Sequence, residues 1–209
     1  MNLEQLAQSE CQSATYRFEA DDDLTAALEP LELEPHEIRA FASKFKLPVQ
    51  AISANERVQN RFNKPRHSFL SRFSDGSFPV LYTALEASTA QAEIAHWFRK
   101  LYVGAFPKAA YYRRMQCDFS GRLVDLRPEL EANPYLVSSG EEGYPSCTAV
   151  TRQALSVNLD GFLTPSARMP KGTCLPVLKA NAIEAAQWDG TYRFLFDSEA
   201  HLPTLTLVE

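Results

Sequence analysis

Six side chains have the types and settings that charge-stabilising, phosphate-binding chemistry needs: Arg17, Arg72, Tyr82, Glu93, Ser166 and Arg168. A carboxylate such as Glu93 favours positive charge that develops in a transition state, and so accelerates the step that creates it. The guanidinium of Arg72, with Arg17 as a second clamp, is a planar donor fork that matches phosphate. Tyr82 combines a flat aromatic face with a hydroxyl. Ser166 supplies a small hydroxyl beside Arg168. Each also has a plain structural reading. Glu93 suits the first turns of a helix through the helix dipole. Tyr82 fits a core tyrosine with a satisfied hydroxyl, the arginines fit ion pairs, and Ser166 fits a turn or cap.

Several other chemistries are excluded. Ser166 has no Gly-x-Ser-x-Gly elbow and no histidine in a convincing base role, so it is not read as an acyl-enzyme nucleophile. His96 follows Glu93 by one helical turn, but no third ligand is evident and no metal site is expected. His67 is read as a surface residue before a pocket residue. Gly76 and Gly104 belong to no GxGxxG or phosphate loop. Cys11, Cys117, Cys147 and Cys174 form no CxxC pair, which removes the usual zinc and disulfide signatures.

The elements that must position these groups follow from periodicity. VLYTAL, residues 80–85, is apolar on both faces and predicts a well-covered strand carrying Tyr82. A helix follows, with Ser88 and Gln91 spaced as a capping box and Ile94, Trp97, Phe98 and Leu101 as its apolar stripe. Glu93 lies near the buried side of that helix. Residues 14–18 predict a strand, and residues 19–60 are helical in flavour, with Ile38, Phe41 and Phe45 as one stripe. Residues 61–79 and 127–145 are loop-rich. YYRRMQCDF and LVDL predict two strands, residues 146–158 a helix, GFLTPSAR a strand running into a turn, and YRFLF a last strand. CLPVLK is also a strand, in which Pro176 argues for an edge or a bulge. Mixed helices and strands without repeats or an obvious linker predict one compact α+β domain over residues 1–209, with a helical insertion at 19–60.

Three stretches carry a family resemblance. SRFSDGSFPVLYTALEASTAQAEIAHW, residues 71–97, is similar to the Gly-Arg-Phe/Trp segment, Leu-Tyr strand and Ala-x-x-Glu helix of the RES domain; the matching positions are Arg72, Tyr82 and Glu93. DGFLTPSAR, residues 160–168, resembles that family's Pro-Ser-Ala-Arg segment and supplies Ser166 and Arg168. TYRF, residues 15–18, resembles its opening Tyr-Arg strand and supplies Arg17. The sequence departs from the pattern in having Ser71 where Gly is common, and in the long stretch between Arg17 and Arg72.

The resemblance implies a fold like that of ADP-ribosyltransferases. It also implies NAD as substrate rather than any prosthetic group, with the nicotinamide–ribose bond cleaved by water or phosphate. Glu93, Tyr82, Arg72 and Ser166 would be catalytic, and Arg17, Arg72, Tyr82, Ser166 and Arg168 would bind NAD. A toxin role silenced by an Xre-type antitoxin follows for many members. One branch instead transfers ADP-ribose to a protein, and a non-enzymatic protein-binding homologue is the third alternative. The acceptor is left open.

Composition bounds the partners. The chain is 45% apolar and 22% charged, ordinary for a globular protein large enough to build its own core. A net charge of −5 argues against a nucleic-acid surface. The first residues show no signal-peptide pattern, and no apolar run is long enough for a membrane span. A cytoplasmic protein without membrane contact is expected.

Overall fold

A computed structural model describes residues 1–20, 52–63, 70–101, 108–138, 140–196 and 204–208. Its organising element is one long strand, β3 (Lys108–Asp125). The two strands expected at YYRRMQCDF and LVDL are thus one, running through Gly121. Strand β1 (Gln8–Ala20) pairs antiparallel along one edge, from Gln8↔Val124 to Ala20↔Tyr112. It is far longer than residues 14–18. Its first residues, Gln8–Glu10, are exposed; from Cys11 onward alternate residues turn inward, and Cys11 packs partly buried against the core, a pattern that polar Ser13 and Thr15 hide from an apolar count.

The other edge of β3 is shared. β6 (Ile183–Phe196) pairs antiparallel with its first two-thirds, and β4 (Gly161–Pro165) pairs parallel with Leu123–Asp125. The crossover between β3 and β4 carries helix α3 (Tyr144–Ser156). β4 pairs with β5 (Thr173–Val177), and β5 pairs with β2 (Leu81–Ala84). β2 then meets β1 through a single pair, Tyr16↔Ala84. Five strands therefore close into a ring, while β6 and β7 (Thr204–Leu207) extend the sheet beyond it.

Pro176 occupies an interior strand, not an edge. The β4–β5 register runs Gly161↔Val177 and then Thr164↔Cys174, with no pair at Pro176 or Leu175. The missing proline N–H therefore costs no ladder bond there. Gly161 answers the close approach: a β-carbon on it would lie 2.9 Å from the Pro176 carbonyl oxygen.

Alternation sorts the side chains into separate packed regions. Leu81, Met115, Cys117, Phe119, Leu123, Leu163, Leu175 and Val177 pack together under Ala54 and Val58 of helix α1 (Ala54–Asn63). On the opposite face, Phe73, Val80, Val124, Leu126, Leu136 and Phe162 pack with Cys147, Val150 and Ala154 of α3. Phe18, Ala84, Tyr112, Tyr192 and Phe194 pack beneath Ala90, Ala95 and Phe98 of helix α2 (Ala87–Leu101). Of the proposed insertion, residues 19–20 complete β1 and 54–60 belong to α1, which is part of the core; 21–51, with Ile38, Phe41 and Phe45, lie outside the described residues.

Helix α2 opens one residue before Ser88. Glu86 anchors it, accepting from the Thr89 hydroxyl at 2.7 Å and from the Thr173 N–H at 3.0 Å. This ties the start of α2 to β5 and sets where Glu93 falls.

Candidate functional site

Glu93 projects from α2 into the space between the α2-covered and α3-covered regions of the sheet. Three donors from three chain segments converge on one of its oxygens. Ser166 Oγ, in the turn after β4, donates to Glu93 Oε1 at 2.7 Å. Arg72 Nη2, from the loop before β2, donates to the same atom at 3.4 Å. Cys174 Sγ, on β5, lies 3.5 Å from it. Among the described residues no donor reaches Oε2.

Each neighbour is itself held. Arg72 is 8% exposed, and its Nη1 donates to the Leu136 carbonyl at 3.0 Å. The guanidinium also lies over the Phe73 ring, 5.3 Å from its centroid. Ser166 accepts the N–H groups of Arg168 and Met169, both at 3.0 Å. Its one donor and two acceptor sites are then all used. Its turn is closed by Gly172, whose N–H donates to the Met169 carbonyl and whose carbonyl accepts from the Ser166 N–H. A β-carbon at Gly172 would collide with the Thr89 hydroxyl, so the turn can press against the start of α2 only with glycine there.

Tyr82 stands behind the cluster. Its hydroxyl contacts Ser71 Oγ at 2.8 Å and accepts the Phe73 N–H at 2.9 Å. Burial pushes that hydroxyl up to about 12, so it stays protonated. Its ring is tilted against Phe73 at 6.4 Å. The tyrosine thus grips the residues on either side of Arg72.

Arg168 is the contrasting group. It is half-buried, and its guanidinium makes no hydrogen bond among the described residues; Nε is fully buried without a partner. Burial lowers its proton affinity, the charge of Glu93 raises it, and Arg72 lowers it again. Two guanidiniums and one carboxylate leave this spot with net positive charge on a chain of net −5. A spot of this charge suits an anion beside Glu93.

Arg17 sits elsewhere. Its guanidinium pairs with Glu19 and donates from Nη1 to the Tyr82 carbonyl at 2.9 Å. It is bound at the seam between β1 and β2, away from the groups around Glu93. The structure therefore brings together Arg72, Glu93, Ser166 and Arg168, places Tyr82 in support, and leaves Arg17 apart.

Two residues of this site escaped sequence reasoning. In the sequence Cys174 reads only as one of four cysteines without a CxxC partner. Thr164, directly across from it in the β4–β5 register, is wholly buried, and its hydroxyl has no partner among the described residues. Opposed strand residues share a face, so both lie on the side of Glu93. The signal was the period of two through GFLTPSAR and TCLPV, but only the register joins them. His67 lies outside the described residues. The described residues gather no cluster of three or more metal-ligating side chains, and none of their helices is long and apolar enough to cross a membrane.

The RES domain family model matches residues 38–197, which contain Arg72, Tyr82, Glu93, Ser166, Arg168 and Cys174 but not Arg17. No curated protein matches the sequence. Among solved structures, a chain of the M. tuberculosis MbcT-MbcA toxin-antitoxin complex is similar at 16% identity and a TM-score of 0.45, over 88% of this chain and 85% of that one. Matched by the family model over more than half of its length, the chain belongs to the RES domain family.

Proposed function

We propose that this protein cleaves the nicotinamide–ribose bond of NAD. The observation that carries the reading is a carboxylate clamped by one oxygen, its other oxygen unpartnered among the described residues, beside an arginine with no partner there. Breaking this bond builds positive charge on the ribose, as glycoside cleavage does. A carboxylate beneath the ring binds that state more tightly than the ground state. At about 4 Å and an effective dielectric of ~20, the attraction is about 4 kcal/mol before desolvation. Nicotinamide departs neutral from a cationic ring, so no general acid is required. A locked, protonated Tyr82 and a saturated Ser166 are compatible with that economy.

Division of labour among the arginines follows from their partners. Arg72 is committed to Glu93 and to the Leu136 carbonyl, so it orients the carboxylate. Arg168 has free donors and takes the pyrophosphate. Membership of the RES family supports NAD as the substrate, a toxin as the biological role and an Xre-type antitoxin as the silencing partner.

The test is product analysis with purified protein and NAD. Nicotinamide release is expected, and it slows at least a hundredfold in Glu93→Gln. Free ADP-ribose marks water as the acceptor, a phosphorylated ADP-ribose formed only in phosphate buffer marks phosphate, and a labelled protein band in cell extract marks transfer. No nicotinamide under any of these conditions, or a fully active Glu93→Gln protein, overturns the proposal.

A further inference from the structure

Glu93 Oε1 receives an S–H group as well as a guanidinium and a hydroxyl. A thiol is a weak donor, so its presence there calls for a physical account. Cys174 is 5% exposed, the second residue of an interior strand, with Ala84 opposite it on β2 and Thr164 opposite it on β4. These small side chains form a floor on the Glu93 side of the sheet. Burial pushes the thiol far above the usual range, and the Glu93 charge pushes it further. The group therefore remains S–H at any working pH. It cannot serve as a thiolate nucleophile. What remains to it is to donate, and its bulk fills the floor against the carboxylate.

We infer that Cys174 is a positioning residue: its S–H holds Glu93 Oε1 against the sheet, so that Oε2 is the oxygen presented to the ligand. Arg72 and Ser166 reach Oε1 from the loop before β2 and the turn after β4. Cys174 adds a third, independent direction from β5. Three fixed directions on one oxygen restrict both the tilt and the rotation of the carboxylate. A carboxylate held this way stays aligned as charge develops, which is where positioning affects rate. The charged or titratable groups around Glu93 are Arg72, Arg168 and Cys174, with Tyr144 of α3 acting on Arg168 from beyond.

The kinetic part of this inference rests on the NAD-cleavage reading; the hydrogen bond does not. Infrared difference spectra between the unaltered protein and Cys174→Ser isolate the S–H stretch of Cys174. That band is expected to move to higher frequency in Glu93→Ala, where the acceptor is gone; an unmoved band overturns the hydrogen bond. In the kinetic arm, Cys174→Ala is expected to lower kcat about fivefold and leave KM for NAD within about twofold. Cys174→Ser, which keeps a donor, is expected to recover kcat to within about twofold. An alanine variant with unchanged kcat overturns the inference. So does a folded serine variant as impaired as alanine, which would assign Cys174 to packing alone. If the unaltered protein releases no nicotinamide, the NAD reading fails on its own and the infrared comparison still decides the role of the thiol.

Discussion

Two arginine–glutamate clusters flank strand β2, and they differ in what they leave unused. At the seam with β1, Arg17 pairs with Glu19 and donates to the Tyr82 carbonyl, while Arg61 Nε donates to the Val80 carbonyl at 2.9 Å. Val80, just before β2, and Tyr82 within it offer these carbonyls where ladder pairing to β1 consists of one register pair. Two guanidiniums therefore stand in for strand donors, and both end on protein. Around Glu93 the same residue types end differently. Arg72 is spent on protein, but Oε2 of Glu93 and the guanidinium of Arg168 are not, among the described residues. A buried polar atom without a partner, as Arg168 Nε is, is costly. A fold that closes one such cluster and leaves another open marks the second as the candidate ligand site.

The comparison breaks most clearly at its two carboxylates. Glu93→Gln is expected to slow nicotinamide release at least a hundredfold, about 3 kcal/mol in the barrier, with the unfolding midpoint in urea little changed. A large stability loss with activity kept per folded molecule would make Glu93 a structural residue and erase the distinction. Arg61→Ala is the opposite case. It removes a charged donor from the carbonyl of buried Val80 and should cost about 2 kcal/mol of stability, with kcat and KM for NAD within about twofold at temperatures where the variant is folded. Parallel urea titrations and rate measurements check both.

How much of this contrast is legible in the sequence depends on whether it is local. The helix carrying Glu93, the strand carrying Tyr82 and the turn after GFLTP are written in patterns a few residues long, and each is present at its place. The continuity of β3 is not local: Gly121 and the flanking polar residues read as a break, and pairing to β1 on one side and to β6 and β4 on the other carries the strand through. The partner of Arg17 is the Tyr82 carbonyl, 65 residues away, and only ring closure puts it there. Cys174 belongs to the site because β5 lies between β2 and β4 in a particular register. Residue type named the chemistry available to each arginine. Topology decided which guanidinium was already occupied.

Arg168 sharpens the comparison further, since it is the group with an uncommitted charge. Arg168→Ala is expected to raise KM for NAD about tenfold, equivalent to about 1.4 kcal/mol of lost binding, with a smaller change in kcat. Stability should hold or rise slightly, because the guanidinium is half-buried and forms no hydrogen bond among the described residues to lose. Arg168→Lys should recover part of the affinity through charge without the planar fork. An unchanged KM in the alanine variant would remove Arg168 from ligand binding.

The smallest expected effect lies at Glu19, and its sign separates an ion pair from mere packing. Burial pushes the Glu19 carboxyl up, but Arg17, through charge and hydrogen bond, and Arg57 and Arg61, through charge, outweigh it and hold the group below its ordinary value of 4.5. A carboxyl lowered in the folded state stabilises that state above its unfolded value, and the contribution is lost as pH falls through the lowered folded value. Glu19→Gln keeps a hydrogen-bonding oxygen toward Arg17 and removes the charge, so at pH 7 it should be less stable than the unaltered protein by less than Arg61→Ala is. As the pH is lowered below 4.5, the two proteins should converge, because the native glutamate becomes neutral as well. Urea midpoints measured across that range check the point. A stability gap that stays constant with pH would mean that Glu19 acts at the seam through shape, and that charge is not what closes this cluster.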